Sequence, residues 1–102
     1  MTVTVYRKKP VEVRTVQWTG DNADELVQFT GNRFGVLDPQ DRAECADPEA
    51  TAQVLDVLHS TWVLVYIGDS IVEGVQGEFY PIRASVLADT YEPVPADAAN
   101  DH

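Results

Sequence analysis

Two pairs of residues carry the types from which a binding chemistry could be built. Gln17 and Trp18 put an amide beside an indole, and Tyr80 and Arg83 put a phenol three residues before a guanidinium. An aromatic ring with an amide is a common lining of small-ligand surfaces, because the ring stacks and the amide supplies directed hydrogen bonds. A tyrosine hydroxyl and an arginine at the start of a helix, where backbone N–H groups lack partners, favour an anion. Each pair also has a plainer reading. Trp18 stands two residues after Val16, so the two share one face of a strand, and Trp18 is expected to be a core anchor with Gln17 in solvent. Arg83 is expected to pair at the surface with Glu78 or Asp89, as most surface arginines do.

The sequence offers little for covalent or metal chemistry. Ser60 follows His59 directly, and neighbours in a strand point to opposite faces, so they form no dyad with each other. There is no Gly-x-Ser-x-Gly string and no glycine-rich phosphate loop with a lysine. Cys45 is the only cysteine, which forbids an intramolecular disulfide, and with two histidines it makes a poor zinc set. Asp69, Glu73 and Glu78 fall on neighbouring predicted strands and are the one carboxylate group that could converge on a cation. The expectation is no catalytic residue, no metal and no cofactor.

Charge narrows the partners. The 102 residues carry a net charge of −10, unevenly spread. Residues 1–19 hold Arg7, Lys8, Lys9 and Arg14 against Glu12, a net of +3; residues 20–102 hold three arginines against sixteen acids, a net of −13. A body this acidic repels a phosphate backbone, so no nucleic acid is expected. It attracts a basic protein surface, or it serves solubility alone. No apolar run approaches the roughly 20 residues that span a bilayer, so no membrane partner is expected. The first residues lack a basic stretch followed by a long apolar one, which points to the cytoplasm.

The pattern along the chain predicts a small α+β domain over residues 1–94, a mainly antiparallel sheet of five to seven strands with two helices, and a flexible tail at 95–102. Val3 and Val5 alternate with polar residues, as in a strand. Val11 and Val13 share one parity, Val16 and Trp18 the other, so a bulge or bend is expected near Arg14-Thr15. A helix is predicted over 22–30, with Asn22 as N-cap, Glu25 three residues on, and Gly31 as a left-handed stop. Short strands are predicted at 34–37 and 54–58, and an exposed acidic loop at 38–50, containing Asp41, Glu44 and Asp47. Residues 62–67 are apolar on both parities, as in a central strand covered on both faces. With turns at Gly68-Asp69 and Gln76-Gly77 they predict a three-stranded meander ending at Ile82. Ala84, Leu87, Ala88 and Tyr91 mark a second helical stripe over 83–90, and each helix is expected to bury its stripe on a sheet.

Tyr6-Arg7-Lys8-Lys9-Pro10-Val11, Val16-Gln17-Trp18-Thr19-Gly20, the segment from Gly68 to Ile82 with Gly74-Val75 and Gly77-Glu78-Phe79-Tyr80-Pro81, and Thr90-Tyr91-Glu92-Pro93-Val94 together resemble a family of small bacteriophage and prophage proteins with no generally assigned activity. The resemblance covers about residues 5–31 and 62–94 and misses the acidic middle. It implies an accessory protein in the bacterial host cell that alters the host or counters its defences by binding. Three readings follow. One is a non-enzymatic module that binds a host protein through its acidic surface, with Asp41, Glu44 and Asp47 taking part. Another is a binder that sequesters a nucleotide-like anion through Gln17, Trp18, Tyr80 and Arg83. The third, an enzyme, has no motif behind it. A homodimer, with the basic segment 7–9 against the acidic body of a second copy, is also expected.

Overall fold

The computed structural model describes residues 2–6, 11–44 and 46–94 and shows an α+β domain of two antiparallel three-stranded sheets and three helices. The elements run β1 (Arg14–Gln17), α1 (Ala23–Thr30), β2 (Phe34–Val36), α2 (Pro39–Glu44), β3 (Ala52–Asp56), β4 (Thr61–Val65), β5 (Ser70–Glu73), β6 (Phe79–Ile82) and α3 (Ala84–Thr90). One sheet has the order β1-β5-β6, the other β2-β3-β4.

Alternation decides what each sheet buries. In the first, Val16 lies opposite Ile71, and Glu73 opposite Phe79. Val16, Ile71 and Phe79 face the core, with Trp18 just beyond the strand. In the second, Phe34, Val54 and Val63 are aligned across the three strands, and Ala52 lies opposite Val65. β6 packs against β3 and β4, so both sheets share one core, closed by Leu26 of α1. Trp18 and Phe34 meet edge to face at 5.1 Å, and Phe29 and Phe79 at 5.5 Å.

The start of α1 departs from the expected cap. Asn22 makes no side-chain bond to the helix backbone. Its amide donates instead to the carbonyl of Gln17 at 2.8 Å and to Glu25 Oε1 at 2.9 Å, while its oxygen accepts from Thr19 N. The side chain thus ties the helix to the end of β1. The far end is as expected: Gly31 adopts φ 64°, ψ 49° and closes the helix onto the carbonyls of Gln28 and Val27.

Several expectations are corrected. Residues 2–6 form no strand and stand in solvent, because no described strand lies beside them. No bulge is needed at Arg14-Thr15: β1 begins at Arg14, and the two parities serve two faces, with Val16 and Trp18 in the core and Val11 and Val13 lining a groove on the other side. The acidic segment contains α2, which Asp38 starts by accepting from Asp41 N at 2.8 Å ahead of Pro39 at the first helical position. β4 is an edge strand with one face open, and Trp62 is 47% exposed. The meander does not form either, since β4 pairs with β3 whereas β5 pairs with β1 and β6. The turn Tyr66–Asp69, with Gly68 at φ 98° and Asp69 N donating to the Tyr66 carbonyl, carries the chain from one sheet to the other. Finally, α3 buries no residue fully. The predicted tail at 95–102, Cys45 and the basic residues 7–9 lie outside the described residues.

Candidate functional site

The turn between the sheets gathers several of the singled-out residues. Trp18 N donates to the Asp69 carbonyl at 2.8 Å, and Gly68 N donates to the Trp18 carbonyl at 2.8 Å. Gln17 Nε2 donates to the Gly68 carbonyl at 3.1 Å. Asp69, although buried, is satisfied: its Oδ2 accepts from Tyr66 N at 3.1 Å. Trp18 itself is only 1% exposed, and its indole N–H donates to Thr51 Oγ1 at 2.9 Å. It is the core anchor of the first reading and lines no surface. Gln17 is exposed beside it.

On this turn the Tyr66 hydroxyl donates to Asp47 Oδ2 at 2.6 Å, and the Arg83 guanidinium lies 5.3 Å from the centre of the Tyr66 ring. Arg83 therefore sits over an aromatic face and not at Glu78 or Asp89, as the sequence suggested. The Tyr66 hydroxyl, the backbone N–H of Glu49 and the Arg83 charge hold the Asp47 carboxyl below its usual range, against an opposing push from burial. An anion arriving at Arg83 would meet the negative charge of Asp47 close by. That opposes the anion-binding reading. Tyr80 lies next to Tyr91, and burial first, then the bond with Tyr91 and the nearby charges, raise its hydroxyl above the ordinary phenol value.

Asp41 and Glu44 sit on α2, both exposed. Arg42 Nε and Nη2 each donate to the Pro48 carbonyl at 3.3 Å, fastening α2 to the segment that carries Asp47. The acids expected on a loose loop are thus held on a short helix and a tethered turn.

The sequence reading missed the outward face of the second sheet. Leu55 lies opposite Trp62, and Gln53 opposite Leu64. These four point away from the core formed by Val54, Val63 and Val65. Leu55 and Leu64 are half-buried, and the adjoining Val57 and Leu58 are exposed. An exposed tryptophan backed by two leucines on a rigid sheet has the character of a protein-contact centre. The signal available in the sequence was Gln53, a polar residue at the outward position of β3.

His59 Nδ1 meets Asp56 Oδ2 at 2.7 Å, with the imidazole largely in solvent. Among the described residues no group of three or more His, Cys, Asp or Glu side chains could hold a metal, so Asp69, Glu73 and Glu78 do not converge. Among the described residues no helix is long and apolar enough to cross a membrane. The chain matches no family model, no curated protein and no solved structure.

Proposed function

We propose that the protein is a non-enzymatic accessory module of the bacteriophage type, which binds a basic surface of a host protein through the outward face of β3 and β4. The observation that carries this reading is the half-exposed Trp62, on one sheet face with Leu55 opposite it and Leu64 two residues on, in a chain whose net charge beyond residue 19 is −13. The apolar centre supplies affinity by desolvation, and the acidic surroundings select a basic partner and speed its approach. The likeness of the phage motifs supports a partner inside the bacterial host cell.

Capture from a bacterial lysate, followed by affinity measurement with the captured protein, tests this. Trp62→Ala should weaken binding roughly 30-fold, a hot-spot loss of about 2 kcal/mol. Reversing charge at Asp41 and Glu44 should slow association, and added salt should slow it for the unaltered chain. A nucleotide-like ligand retained in place of a protein, and lost in Arg83→Ala, would favour the anion-binding reading instead.

A further inference from the structure

The first sheet ends in an edge with open hydrogen-bonding groups. Trp18 N bonds inward to β5, so the alternation of an antiparallel ladder turns Arg14 and Val16 inward as well and the N–H and C=O of Thr15 outward. No described strand pairs with that outward edge. Beside it runs an open groove of about 1320 Å³ between the β1 segment and α3. Val13, Leu87, Tyr91 and Val94 line it with apolar surface, and Glu12 and Glu92 add negative charge.

The same chain carries a segment that fits this edge. Thr2-Val3-Thr4-Val5-Tyr6 alternates with strand period and is rich in β-forming residues. Yet it stands in solvent, with Val3 74% and Val5 89% exposed. Val3 and Val5, two apart, would share one face of a strand. Arg7, Lys8 and Lys9 follow directly, the only run of positive charge in an acidic chain.

We infer that residues 2–6 of one copy pair with the outward edge of β1 in a second copy, and the reverse, giving a symmetric dimer by strand exchange. Val3 and Val5 enter the groove against Val13, Leu87 and Val94. The occupant is a second copy because in the single chain the segment stays outside its own groove. Reciprocal exchange closes both free edges at once and leaves neither to template aggregation. The dimer uses the first sheet, so it is independent of partner binding at the second.

Light scattering on the full chain over the micromolar range tests the inference. The expected mass is twice the 11.3 kDa of one chain. Val5→Asp, in a segment exposed in the single chain, should give the single mass while near-ultraviolet circular dichroism shows the tryptophan core still packed. Thr15→Pro removes an N–H that the fold does not use and should also give the single mass. A single mass for the unaltered chain throughout overturns the proposal, whether or not hydrogen exchange finds residues 2–6 protected within one copy. A double mass that survives Val5→Asp overturns it too, by placing the interface elsewhere.

Discussion

Trp18 joins three parts of the molecule at one residue. Its backbone ties β1 to the turn after β4, its ring packs on Phe34, and its indole N–H reaches Thr51. Trp18→Ala should destabilise the protein by roughly 3–5 kcal/mol, the range for removing a large aromatic from a core. Trp18→Phe should cost less, losing mainly the Thr51 bond. Urea titration of both variants checks the order. Spacing with Val16 was enough to place this residue. Trp62 was not legible in the same way, because an apolar run carries no record of which neighbour is missing. Asp47 predicts a pH effect. Its carboxyl is held below the unfolded value of about 3.8. The stability this supplies is therefore complete above about pH 5 and declines as pH falls through the unfolded value towards the folded one, below which it is lost. Asp47→Asn should lose less stability than the unaltered chain between about pH 5 and pH 3, measured as the shift in urea midpoint.

At the scale of elements, local signals were read well and pairing was not. Gly31 marked the end of α1 because few other residues adopt a left-handed backbone there. The Asp38-Pro39 start of α2 was equally local, but it stood within a stretch whose acids and prolines suggested a loop. Asp38→Ala should cost about 1 kcal/mol of cap energy, seen as faster amide exchange across 39–44 with the sheets unaffected. The division of strands between two sheets is a different matter. β4 and β5 are consecutive and joined by a tight turn, which favours a hairpin on sequence grounds. They part because β4 already closes a hairpin with β3 through a connection of the same length, while β5 takes the distant β1, a partner chosen by the packing of the whole core. Residues 2–6 alternate like a strand that the single chain does not form, and the proposed exchange would give that pattern a place.

For the whole molecule, charge and exposed apolar surface point the same way. The body is acidic enough to repel polyanions, and its open tryptophan face stands on the second sheet, whereas the edge of β1 belongs to the first. On the two proposals above, the first sheet would serve self-association and the second a foreign partner. The composition alone indicated acidity; it could not indicate which face of the second sheet is open, which depends on what packs against β3 and β4.

The most direct measurement is the affinity of a captured host protein for the unaltered chain and for Trp62→Ala, with the folding of both verified by urea titration. Because Trp62 is half exposed, the substitution should leave the unfolding midpoint nearly unchanged while binding falls roughly 30-fold. Equal affinity of the two chains, both folded, would contradict docking through this face.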